Sequence, residues 1–194
     1  MALLKAFART ENHGRKGQFE RWLIMSVFLL SSGLKLAAQT ATSAEYQVKA
    51  VFLFNFAQFV DWPPKAFPDP QAPLVIGVLG EDPFGTYLDE TVRGEKANNR
   101  PLVVQRYHRI GQIKTCHVLF ISRSEADRLE QILNSLRGRN ILTVSDAEDF
   151  AQRGGMIQLV TEKNKIQMRI NLEAVKAANL TISSKLLRVA ETKP

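Results

Sequence analysis

From about residue 74 to residue 145 the chain alternates short apolar runs with amphipathic segments, and this constrains the fold more than any other feature. Residues 74–79, Leu-Val-Ile-Gly-Val-Leu, form a continuous apolar run, as expected of a strand covered on both faces. Residues 102–107, 117–121 and 141–144 read as further strands. Asp82-Pro83 supplies an N-cap and a first-turn proline for a helix through about Val92, and residues 94–99 read as a loop. Ser122 or Ser124 caps a helix to Leu136, Ser122 with Glu125 fits a capping box, and Gly138 ends that helix. Ser145 with Glu148 fits a second capping box, which predicts a short helix toward Arg153 that Gly154-Gly155 breaks. Strand–helix alternation predicts an α/β fold, a largely parallel open sheet flanked by helices in a Rossmann-like sandwich. Residues 156–160 and 166–170 alternate apolar with polar side chains about a turn at 162–165, where Asn164 suits a left-handed position. They predict a C-terminal β-hairpin at the sheet edge.

The ends of this region are helical in pattern. Residues 45–62 contain no Gly or Pro until Pro63-Pro64 stops the run. On a helical wheel Val48, Ala50, Phe52, Leu53, Phe56, Ala57, Phe59 and Val60 cover about 200°. Gln47, Asn55, Gln58 and Asp61 mark the polar side, and Val51 and Phe54 fall among them. A helix this apolar is either buried on most sides or used for docking, in a homodimer or on another partner. Residues 172–178 and 183–190 read as the last helices.

The N-terminal 44 residues have a different character. Arg15, Lys16 and Arg21 precede the apolar run 22–30, and small residues fill 37–44. A basic segment, a short apolar core and a small-residue exit form the pattern of a secretory signal peptide. Ser31, Ser32, Gly33 and Lys35 interrupt the run well short of the about 20 apolar residues that span a bilayer. The expectation is a signal peptide over 1–44, cleaved near 38–44, no retained transmembrane segment, and a single domain over 45–194. The signal region holds six of the 26 Lys/Arg and two of the 19 Asp/Glu, so the domain keeps 20 against 17, a net +3. That balance, without a basic cluster interleaved with aromatics, argues against a nucleic-acid partner.

The order of elements resembles the YfiR-like (HmsC-like) periplasmic proteins. The pieces that match are the Phe-rich helix ending Phe59-Val-Asp-Trp-Pro63, then Leu142-Thr-Val-Ser-Asp146, Gly154-Gly-Met-Ile157, Ile166-Gln-Met-Arg-Ile-Asn-Leu172 and Ile182-Ser-Ser-Lys-Leu-Leu-Arg188. The resemblance implies a periplasmic, non-enzymatic regulator that binds the periplasmic part of an inner-membrane diguanylate cyclase, lowering cyclic di-GMP signalling and biofilm formation. It also implies a relieving partner, an outer-membrane lipoprotein with an OmpA-like domain. The chain departs from the best-known member in lacking paired cysteines: Cys116 stands alone, so no intrachain disulfide can form.

Motifs of catalysis and cofactor binding are weak. The histidines are His13, His108 and His117, which with Cys116 give little scope for a metal site. A buried, inert thiol is expected of Cys116, with an intermolecular disulfide or a reactive thiol as the alternative. No G-x-S-x-G elbow or P-loop occurs, and the Gly77–Gly85 turn lacks G-x-G-x-x-G spacing. We therefore expect no catalytic, cofactor-binding or metal-ligating residue and no enzyme activity. Asp146, Glu148 and Asp149 read as charge at a helix start. Candidate partner-binding residues are Val51 and Phe54 for apolar docking, with Arg169, Asn171, Lys185 and Arg188 for an acidic surface. The alternative function is binding of a small ligand in the crevice at the strand carboxyl ends, near Gly80, Ser122 and Ser145.

Overall fold

The computed structural model describes residues 44–163 and 165–190. Residues 1–43 of the expected signal peptide and the turn residue Asn164 lie outside the described residues.

Helix α1 spans 44–59 and is followed by β1 (Val60–Asp61). The central strands are β2 (Leu74–Leu79), β3 (Lys96–Ala97), β4 (Arg100–Tyr107), β5 (Val118–Ile121), β6 (Leu142–Ser145), β7 (Ile157–Glu162) and β8 (Lys165–Ile170). They form one sheet in the order β3-β4-β2-β5-β6-β7-β8. Neighbours from β4 through β7 are parallel, and β3 and β8 add antiparallel edges. This is the α/β sandwich the alternation predicts, with the hairpin at its edge. Helices α2 (Thr86–Val92), α3 (Leu129–Leu136), α4 (Leu172–Ala177) and α5 (Ser184–Val189) complete it, with β9 (Thr181–Ile182) paired to β1.

Side chains alternate across each strand, so the sheet separates two cores. On one face Ile76, Val78, Val118, Phe120, Val144 and Leu159 pack against Leu53, Phe56 and Ala57 of α1, Leu88 of α2 and Val175 of α4. On the other, Leu79, Leu119 and Ile121 pack against Leu129, Ile132 and Leu136 of α3 and Phe150. Among the described residues no helix is long and apolar enough to cross a membrane.

Several element boundaries differ from the sequence expectation, each for a local reason. The N-terminal helix stops at 59, because Pro63 forces the preceding segment toward extended backbone and β9 offers Val60 and Asp61 antiparallel partners. Asp82 does not cap a helix. Its carboxylate accepts from the Phe84 N–H at 2.8 Å and from Arg106 Nε at 2.7 Å, so α2 starts at Thr86. Ser122 caps a 3-10 turn, Arg123–Arg128, that precedes α3, and Glu125 pairs with Arg128 at 2.6 Å rather than closing a capping box. No helix forms between Ser145 and Arg153. The Ser145 hydroxyl donates to the Ile121 carbonyl at 2.7 Å and accepts from the Ala147 N–H, and Asp149 takes φ 53°, which a helix excludes. The 94–99 loop holds the short strand β3, because Asn98 and Asn99 adopt φ 49° and 64° and close a tight hairpin onto β4.

Candidate functional site

Taking the parallel strands alone, the order β4-β2-β5-β6-β7 places the topological switch point at the carboxyl ends of β2 and β5, where open α/β sheets ordinarily seat ligands. Here that crevice is filled. Gly80 turns at φ +92°, and a Cβ on it would lie 2.5 Å from Ser124 Oγ and 2.8 Å from Glu125 Cγ. Ser124 Oγ accepts from the Glu81 N–H at 2.9 Å, and Glu125 is buried against Arg128.

The open space lies farther along the same edge of the sheet. A cavity of about 740 Å³ is bounded by Glu45, Arg123, Asp146, Glu148, Asp149 and Arg169, with β7 as one wall. Asp146 follows β6, and its side chain is fully buried. Its Oδ2 accepts from Lys49 Nζ at 2.5 Å and from the Tyr46 hydroxyl at 2.8 Å. Lys49 is also wholly buried, sits 4.4 Å from the Tyr46 ring centroid and pairs with Glu45 one helical turn back. Glu45 in turn accepts from the Thr161 hydroxyl of β7 at 2.8 Å. The first two turns of α1 are thus tied by charge to the ends of β6 and β7.

The second Asp146 oxygen, Oδ1, is buried without a hydrogen bond. Arg123 Nε lies 3.3 Å away as an ion pair but directs its N–H at the Asp146 carbonyl, 3.1 Å distant. Burial and then Asp146 push the Tyr46 phenol far above its ordinary range. Burial works to raise the Glu45 carboxyl, but the hydrogen bonds from Lys49 and Thr161 outweigh it and hold the group below its usual value. The cavity presents Arg123 and Arg169 beside the carboxylates of Glu45, Glu148 and Asp149 to whatever enters.

The sequence candidates fall in different places. Val51 is exposed on α1, and Phe54 is half-buried and packed against the core. Arg169 borders the cavity and pairs with Glu162 at 3.0 Å. Asn171 caps α4: its side-chain oxygen accepts from the Ala174 N–H, and its amide donates to the Ala151 carbonyl. Lys185 and Arg188 are exposed on α5. Gly80 and Ser122 line the closed crevice, whereas Ser145 is buried behind the open one. Sequence reasoning missed Lys49 and Tyr46. The signal for Lys49 was present: it stands four and seven residues before Leu53 and Phe56, in the middle of the apolar stripe.

Cys116 is buried, its thiol donates to the Val118 carbonyl, and burial pushes its pKa up to about 12. His117 is also buried. Its Nδ1 accepts from the Val75 N–H at 3.0 Å, so Nε2 carries the proton toward the Ala66 carbonyl at 3.2 Å, and Phe67 stacks on the ring at 4.3 Å. It fastens the 3-10 turn Pro64–Ala66 to the amino ends of β2 and β5. No group of three or more His, Cys, Asp or Glu side chains suited to a metal ion occurs among the described residues.

Residues 46–191 match the model of the YfiR/HmsC-like family. The chain belongs to that family. The match begins at Tyr46 and runs past α5, so it takes in the Lys49–Asp146 cluster, the cavity beside it and the C-terminal hairpin.

Proposed function

We propose that this protein is an exported regulator that binds the periplasmic part of an inner-membrane diguanylate cyclase and holds it in a less active state. The observation that carries this reading is membership of the YfiR/HmsC-like family over residues 46–191, a family of periplasmic regulators of such cyclases. Binding changes the cyclase by favouring one of its conformations, with no bond made or broken in the regulator. Arg169, Lys185 and Arg188 offer positive charge for an acidic partner surface, and Val51 and Phe54 offer apolar contact. An OmpA-like outer-membrane lipoprotein relieves the restraint by capturing the regulator. Residues 1–44 serve as the export signal, and residues 45–194 are the working domain.

Deleting the gene tests the role directly. Cellular cyclic di-GMP and biofilm should rise, and complementation should lower both. Unchanged cyclic di-GMP in the deletion strain would remove the repressor assignment.

A second reading has a specific observation in its favour. The cavity of about 740 Å³ beside Asp146, bordered by the exposed side chains of Arg123, Glu148 and Asp149, suits a small polar ligand. A specific ligand raises the melting temperature, so a thermal-shift screen of small polar metabolites checks it. No shift for any compound up to millimolar concentration would set it aside.

A further inference from the structure

The last strand of the sheet has a free side. β8 ends the strand order and has β7 as its one neighbour. The Asn171 N–H donates to the Met156 carbonyl at 2.8 Å, and Ile170 lies opposite Ile157. In an antiparallel ladder this phase turns the backbone groups of Lys165, Gln167 and Arg169 toward β7. Those of Ile166, Met168 and Ile170 point the other way, and among the described residues no other backbone group is bonded to them. After Ile170 the chain turns at Asn171 into α4, which packs through Val175 on the covered face and does not continue the sheet.

The two ends of the sheet differ in this respect. The outermost strand at the other end, β3, is two residues long, and Gln58 Nε2 donates to its Lys96 carbonyl at 2.7 Å. Short, covered edges resist further pairing. β8 is six residues long and contains no proline. Its side chains alternate between the faces. Ile166, Met168 and Ile170 belong to the core of the covered face, and Lys165, Gln167 and Arg169 lie on the other. Lys163, Lys165 and Arg169 make this end of the hairpin basic, against the single carboxylate of Glu162, which pairs with Arg169 at 3.0 Å. Two β8 strands laid side by side would bring Lys165 and Arg169 of one copy next to those of the other, and like charges across a strand pair are destabilising. An acidic strand meets the opposite situation.

We propose that the free side of β8 is a strand-addition site, which takes an extended acidic segment of another protein as a further strand of the sheet. The guest backbone bonds to the N–H and C=O groups of Ile166, Met168 and Ile170. Alternate guest side chains fall beside Lys165, Gln167 and Arg169, where Asp or Glu is favoured. The intervening ones extend the apolar row of Ile166, so the segment alternates acidic with apolar residues. The contact is the same whichever protein carries the segment, and it does not depend on the cyclase.

The test uses protein expressed from the full coding sequence and purified as the cell matures it. The probe is an end-capped peptide of alternating Glu and Val. Titration calorimetry should give a Kd below about 1 mM, and a peptide of alternating Lys and Val should bind at least about tenfold more weakly. Lys165→Glu, a change at an exposed side chain, should weaken the Glu–Val peptide about tenfold with the unfolding midpoint little changed. Amide exchange followed by NMR reads the geometry. In the free protein the N–H groups of Ile166, Met168 and Ile170 should exchange faster than those of Gln167 and Arg169, and the peptide should slow them. N-methylation of alternate peptide residues should abolish binding in one phase and spare it in the other, because one set of peptide N–H groups faces β8. A Kd above the stated limit or indifference to either charge reversal would overturn the proposal. So would slow exchange at 166, 168 and 170 before peptide is added, unchanged exchange there in the complex, or equal binding of the two N-methylated peptides.

Discussion

The carboxyl ends of β2 and β5 are shut, whereas those of β6 and β7, farther along the same sheet, are open. Both places lie at the carboxyl ends of parallel strands, but only the first is the topological switch point where ligands ordinarily sit. The chain leaving β5 enters a 3-10 turn at once, and that turn lays Ser124 and Glu125 over Gly80. The chain leaving β6 makes a hydroxyl-bonded turn at Ser145 and a left-handed step at Asp149, which leave space beside Asp146. One turn's side chains fill a crevice and the other's do not. Topology supplies candidate sites, and the first residues after each strand decide which are available.

The largest effect should come from the open side. Asp146→Ala leaves the Lys49 ammonium buried with Glu45 as its remaining carboxylate, and breaking a buried pair costs about 3–5 kcal/mol. Urea unfolding should show the midpoint fall accordingly. The double variant Lys49→Met with Asp146→Leu should recover most of the loss, because two apolar side chains need no charge compensation. A loss below about 1 kcal/mol for Asp146→Ala would mean that water already reaches the pair.

A contrasting group sits at the opposite ends of the strands. Burial, opposed by the hydrogen bond to the Ala66 carbonyl, lowers the His117 pKa to about 4 from an ordinary 6.5. Arg100, whose guanidinium lies 3.7 Å from the Phe67 ring centroid, disfavours the charged form further. The unfolded chain therefore binds the proton more tightly than the folded one. The contribution of His117 is complete above pH 6.5 and declines as pH falls toward 4, by up to about 3 kcal/mol. Unfolding midpoints between pH 7 and pH 4 should follow that slope, and His117→Gln should flatten it. An identical slope in the variant would assign the acid sensitivity elsewhere.

Sequence patterning located the central strands β2 and β5 well, because each is a continuous apolar run, as expected of a strand covered on both faces. The hairpin was legible for the complementary reason, since one of its faces meets solvent and alternates. What escaped depends on partners remote in sequence. Val60 and Asp61 look helical until Thr181 and Ile182 pair with them. Ser145 to Glu148 reads as a helix start, but the Ser145 hydroxyl is taken by Ile121 on a neighbouring strand. Lys49 was visible as a misplaced charge on the core stripe. Its partner Asp146, 97 residues away, was not.

The closed crevice should respond to a smaller change than the open one. Gly80→Ala puts a methyl group against Ser124 and Glu125 at φ +92°, a conformation that costs a side chain about 1–3 kcal/mol. Adding Ser124→Ala should return the part due to contact with the hydroxyl and leave the part due to backbone strain. Equal stability of the single and double variants would show that the backbone term dominates.

The smallest effect should be found at the rim of the open cavity, where Glu148 and Asp149 are exposed. Glu148→Gln with Asp149→Asn keeps the side-chain shapes, and Asn tolerates the left-handed backbone at 149 as readily as Asp does. Melting without ligand should therefore shift by no more than about 0.5 kcal/mol of stability. If this rim attracts a cationic ligand, any stabilisation by that ligand should fall as the two charges are removed, while the Lys49–Asp146 pair beneath remains intact. A loss of stability comparable to that of Asp146→Ala would place these carboxylates in the charge network that holds α1, and would erase the distinction between a structural floor and an accessible rim.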